Sequence, residues 1–148
     1  MIELVFVIVV LGILAAIAVP RLAATRDDAI IASGRANILA IRSGIISERQ
    51  GRMFRGDSRY AGELDNNTTV ALNTMGEELF SVVLAQPYRS GNKSGWSKIQ
   101  NANGPGGTAI YRFHLKNDGV NNVDFNYTVD TGVFTCDDTI TLCRSLTR

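Results

Sequence analysis

The side chains with chemistry to offer fall into four small sets. Glu3 is a lone carboxylate at the head of sixteen residues, Leu4 to Val19, that carry no polar side chain. An ionised carboxylate in hydrocarbon is expensive, so such a group either pairs with an opposite charge or rides at the headgroup level. Cys136 and Cys143 stand seven positions apart near the C-terminus. Two thiols cannot make a four-ligand zinc site, and a disulfide closing a short loop is the better reading, which places the C-terminal part in an oxidising compartment. Arg52, Arg55 and Arg59 gather in "QGRMFRGDSRYAGEL", where Asp57 and Glu63 dilute them. A solvated loop or a subunit contact therefore outranks a site for an anionic polymer such as DNA. Asp118, Asn121, Asn122 and Asp124 are oxygen-rich but lack the spacing and closing glutamate of an EF-hand, so turn chemistry is favoured over calcium.

None of these sets is a catalytic constellation. His114, the single histidine, falls between Arg112 and Lys116 on a strand pattern and reads as a surface residue. There is no Ser/His/Asp order with a supporting motif, no H-E-x-x-H and no C-x-x-C-H. The glycines of "NKSGWSKIQNANGPGG" lack the lysine and hydroxyl of a phosphate loop. The expectation is a protein that is not an enzyme, with no cofactor and no metal. Fifteen basic and fourteen acidic residues leave a net charge of +1, so no global field points to nucleic acid.

The elements that must position these residues follow from pattern. At 148 residues the chain has room for one domain and an extension. Residues 1–20 form an apolar helix near the length that crosses a bilayer. Removal as a signal peptide is the weaker reading, because no Lys or Arg precedes the apolar run and helical sequence continues past Pro20. Residues 21–50 continue as the amphipathic half of the same helix, with Ile30, Gly34, Ile38, Ile41 and Ile45 on one face. Arg26, Asp27, Asp28, Arg35, Arg42 and Arg49 lie opposite, as a wet or paired face. Such a helix, ending near Gln50, is roughly 70 Å long. Residues 51–148 form the head. "MGEELFSVVLA", Met75 to Ala85, predicts a short helix, and Asn92 to Gly107 predicts a loop anchored by Trp96. Alternation in "TAIYRFHL" and "NVDFNYTV", the Asp130 to Gly132 turn and "VFTC" predict an antiparallel meander of three or four strands. The fold class is α+β, with the isoleucine stripe covering the sheet.

The run "IELVFVIVVLGILAAIAVP", Ile2 to Pro20, closely resembles the N-terminal helix of type IV pilins and of type II secretion pseudopilins, specifically over about 25 residues. The resemblance implies a type IV pilin fold and a filament subunit, anchored in the inner membrane and later carried in an extracellular pilus on the bacterial surface. Its partners would be further copies of itself in a helical homopolymer, a platform protein and a cytoplasmic ATPase. Adhesion, motility or DNA uptake is the implied role; a secretion pseudopilin or a DNA-binding minor pilin is the alternative. Glu3 matches the family's acidic residue, thought to neutralise the N-terminal amine of a neighbouring subunit. Family members have a leader cleaved after a glycine and four residues before the acid. Here Met1 and Ile2 precede Glu3, so the expected working protein begins upstream with a methylated aromatic residue. Between Gly12 and Pro20 the helix either loosens on assembly, as in similar pilins, or stays a gently bent helix. A C-terminal disulfide loop such as Cys136 to Cys143 is common among pilins and typically missing from the major pseudopilins.

Overall fold

More than a third of the chain is one helix, α1 (Ile2–Phe54). The computed structural model describes residues 2–66, 70–89, 91 and 93–148, without the side chains of 19–24. Helical backbone passes through both Gly12 and Pro20. α1 runs past the expected end near Gln50, because Gly51 keeps helical geometry and Gly56 stops the helix instead. Gly56 takes a φ of +85°. Its N–H bonds the Met53 carbonyl at 3.0 Å, and the Asp57 N–H bonds that of Arg52 at 3.0 Å. This pair of bonds around a left-handed glycine satisfies carbonyls that would otherwise be left open at a helix end.

The apolar stripe does what its spacing requires. Gly34, Ile38, Ile41 and Ile45 are buried and Ile30 is half-buried. They cover an antiparallel sheet of β3 (Gly95–Gln100), β4 (Thr108–His114), β5 (Asn122–Thr128) and β6 (Val133–Cys136), paired in chain order. Trp96, Tyr111, Phe113, Phe125, Tyr127 and Phe134 are the bulk of the sheet's buried face. On the face expected to be wet or paired, three arginines are paired with the head. At intervals of seven, Arg35, Arg42 and Arg49 each donate Nε–H to a backbone carbonyl: Ser145 at 2.6 Å, Phe134 at 3.1 Å and Ser58 at 3.3 Å.

Two expected elements are corrected. Met75 to Ala85 is not a helix. Glu78–Leu79 (β1) pairs with Tyr88–Arg89 (β2), and Phe80 adopts a φ of +60°, which no helix accommodates. That backbone sends Phe80 into the aromatic cluster, 4.8 Å from the Tyr111 ring and 5.5 Å from Trp96. Tertiary packing overrides the local helical pattern. Within the expected loop 92–107, Gly95–Gln100 is strand β3, although Trp96 is indeed its buried anchor. Alternation is invisible there because Ser97 and Lys98 are buried together with Trp96.

The C-terminus adds α2 (Thr141–Thr147), too short for periodicity to announce. Cys136 and Cys143 are joined by a disulfide, which fixes α2 beside β6, and Leu146 is buried. Chain entropy for an eight-residue loop makes the bridge worth about 2.5 kcal/mol. Urea unfolding of the Cys136→Ser/Cys143→Ser double variant should show a loss of that order.

Close approach fixes Gly44 as well. A Cβ there would overlap the Val83 carbonyl. Helix propensity alone favours alanine by about 1 kcal/mol, whereas overpacking a core costs about 1–3 kcal/mol. The obstacle is backbone, so overlap wins. Gly44→Ala should lower stability by about 1 kcal/mol or more, read from the urea midpoint.

Candidate functional site

The largest chemical anomaly is a surface. From Ile2 to Ala18 every residue is exposed, with Leu11 at 58 % and Ile17 at 65 %. Seventeen helical residues rise about 25 Å, against a hydrocarbon core of about 30 Å. An uncovered apolar surface of this extent marks a membrane or protein contact. The other long stretch, Thr25–Phe54, also has the length and mean hydropathy, 1.3, to cross a membrane. Its Ile38, Ile41 and Ile45 lie under the sheet and its Arg35 and Arg42 are tied to the head, so one face of it is occupied.

Glu3 lies exposed in the first turn of α1, where a carboxylate favours the helix dipole. It borders a shallow groove with Leu4, Val7 and Ile8. A Cβ on Gly12 would meet nothing within 4 Å, so no contact among the described residues calls for glycine there. Pro20 is helical in backbone, and its side chain lies outside the described residues.

The arginine loop is more neutral than its sequence suggests. Arg52 Nε is 2.7 Å from Glu48, Arg59 Nε is 2.9 Å from Asp57, and Arg55 reaches Glu48 at 3.9 Å. The Arg59 hydrogen bond holds the Asp57 carboxyl below its ordinary range. Arg49 stacks on Tyr60, 4.2 Å from the ring centre, and bonds its hydroxyl at 2.8 Å. Arg49, Arg52, Arg59 and Tyr60 line an open cavity of about 490 Å3 that Asp130 also borders. The field there is mixed, which suits a protein contact better than a polyanion.

The oxygen-rich set divides between two tasks. Asp124 forms a two-pronged pair with Arg112 at 2.6 and 2.8 Å. Asp118 accepts the backbone N–H and the side-chain amide of Asn121 and the backbone N–H of Val120, which bring its pKa down to about 2. Among the described residues no group of three or more His, Cys, Asp or Glu side chains is arranged to hold a metal.

His114 is not the surface residue its pattern predicts. It is 7 % exposed, with Nε2 2.8 Å from Ser97 Oγ and a buried Nδ1 that has no hydrogen-bond partner. Strand β3, missed in the sequence, supplies its cover. A second missed group is Lys98, buried between Glu63 at 2.7 Å and Asp65 at 2.9 Å. No family model, curated protein or solved structure matches the chain.

Burial, and then Arg112, lower the His114 pKa below its ordinary value of 6.5. The unfolded state therefore binds the proton more readily, and stability falls as pH drops through and below about 6.5. His114→Gln should flatten this part of the stability profile, measured as urea midpoints between pH 7.5 and 5.

Proposed function

We propose that the chain is a structural subunit of a type IV pilus filament, with a type IV pilin fold and no enzymatic activity. The observation that carries this reading is the uncovered helix Ile2–Ala18 joined to a head whose core is complete without it. Before assembly the inner membrane covers that helix. In the extracellular filament the same surface is covered by copies of itself. Lipid tails are as apolar as leucine, so moving from bilayer to filament gains little hydrophobic free energy. Extraction therefore needs external work, the role assigned here to the platform protein and its cytoplasmic ATPase. Glu3 supplies register: two opposite charges buried together cost far less than one alone, so Glu3 pairs with the N-terminal amine of a neighbour.

A secretion pseudopilin would share the anchor, but the Cys136–Cys143 loop favours the pilin reading. A DNA-binding minor pilin draws less support, since Arg52, Arg55 and Arg59 all face acidic partners. The test is to shear surface filaments from producing cells and identify their bulk protein. This chain should dominate the sheared fraction. Glu3→Ala should remain in the membrane fraction while filaments fall at least tenfold. Presence in the membrane with none in sheared filaments, for the unaltered protein, would overturn the reading.

A further inference from the structure

Beneath the loop that follows α1 lies a buried reactive group that the filament reading does not use. Lys98 and Asp65 side chains are each 1 % exposed, and Glu63 is 29 % exposed at the rim. Lys98 Nζ lies 2.9 Å from Asp65 Oδ1 and 2.7 Å from Glu63 Oε2. The other Asp65 oxygen accepts the Tyr111 hydroxyl at 2.7 Å, and the other Glu63 oxygen accepts the Ala102 N–H at 2.7 Å. Every heavy atom needed for an amide condensation is therefore present and held from both sides.

We propose that Lys98 and Asp65 condense into an intramolecular isopeptide bond, with Glu63 as the proton carrier. Glu63 takes one proton from the Lys98 ammonium and passes it to Asp65 Oδ1; the freed Nζ then attacks Asp65 Cγ, the Nζ–Cγ bond forms, and the Cγ–Oδ1 bond breaks. The ammonium gives up two protons through Glu63, and they leave with Oδ1 as one water. The reaction needs no oxidant, reductant or cofactor.

Three physical terms favour it. Burying an ammonium and a carboxylate carries a large desolvation cost, and the amide removes both charges while Glu63 stays near solvent. Fixed proximity replaces a bimolecular encounter, with effective molarities of about 10^5 M or more when reacting atoms are held about 3–3.5 Å apart. Tyr111 donates to the oxygen on which negative charge develops, the position in which a preorganised donor is most effective. The phenol keeps its proton, because burial, and then the charge of Asp65, raise its pKa well above the ordinary value. A cavity of about 340 Å3 opens beside Glu63, Asp65 and Lys98 toward Asn101 and Asn103, giving the water an exit.

The bond would staple the loop after α1 to β3, 33 residues further along the chain. In a polymer under tension such a link keeps the two segments together when hydrogen bonds yield. The experiment is intact mass spectrometry of the purified full chain in detergent, after reduction of the disulfide. The expected mass is one water below that of the sequence, and protease digestion should release a branched peptide joining the segments around Asp65 and Lys98. Lys98→Arg preserves the positive charge and should show the full mass. Glu63→Gln should leave most molecules uncondensed, and complete condensation in that variant would overturn the role of Glu63. A folded wild-type chain, melting cooperatively and showing the full mass with no branched peptide, would overturn the bond itself.

Discussion

Everything in the head depends on one contact, the isoleucine stripe of α1 against the aromatic face of the sheet. A four-stranded antiparallel sheet with Trp96, Tyr111, Phe113, Phe125 and Phe134 on one side cannot leave that side in water. Ile38, Ile41 and Ile45 cover it, each fully buried side chain contributing about 2 kcal/mol. Gly34 and Gly44 let the helix approach closely. A Cβ at Gly34 would come within 2.7 Å of Leu146 and 2.8 Å of Phe113.

One helix thus serves two environments, and the chemistry changes along its length. In Thr25–Phe54 the burial is one-sided, and the arginines at 35, 42 and 49 turn the flank of the helix into a row of charge-assisted bonds to carbonyls. In Ile2–Ala18 every residue is exposed, and among the described residues of the chain nothing covers any face. That asymmetry is the physical basis of the proposed filament role. In that proposed role, lipid and then other copies of the chain would cover the helix that the head leaves bare.

The loops carry more structure than their composition suggests. Lys98, Glu63, Asp65 and Tyr111 form a buried polar cluster between the loop after α1 and β3. His114 and Ser97 are buried as a pair between β4 and β3. Both depend on β3, an element hidden in a Gly- and Asn-rich stretch. Phe80 shows the same lesson from the other side. The pattern of Met75 to Ala85 is locally helical, yet a left-handed backbone is accepted because it delivers a ring to the aromatic cluster.

The sequence by itself determined whatever depends on periodicity or on near neighbours. The isoleucine stripe and the alternation in β4 and β5 follow from spacings of 3.6 and 2, and the apolar run headed by Glu3 and the turn before β6 from the residue types of near neighbours. The Cys136–Cys143 pairing was legible too, because only two thiols were available. The tertiary structure decided what depends on residues far apart in the chain. It made β3 a strand, buried Lys98 between carboxylates 33 and 35 residues away, and covered His114 with Ser97 17 residues earlier. A local pattern records which face of an element is oily. It does not record which polar group from a distant segment will satisfy a buried charge, because that partner is chosen only when the sheet and the helix close on each other.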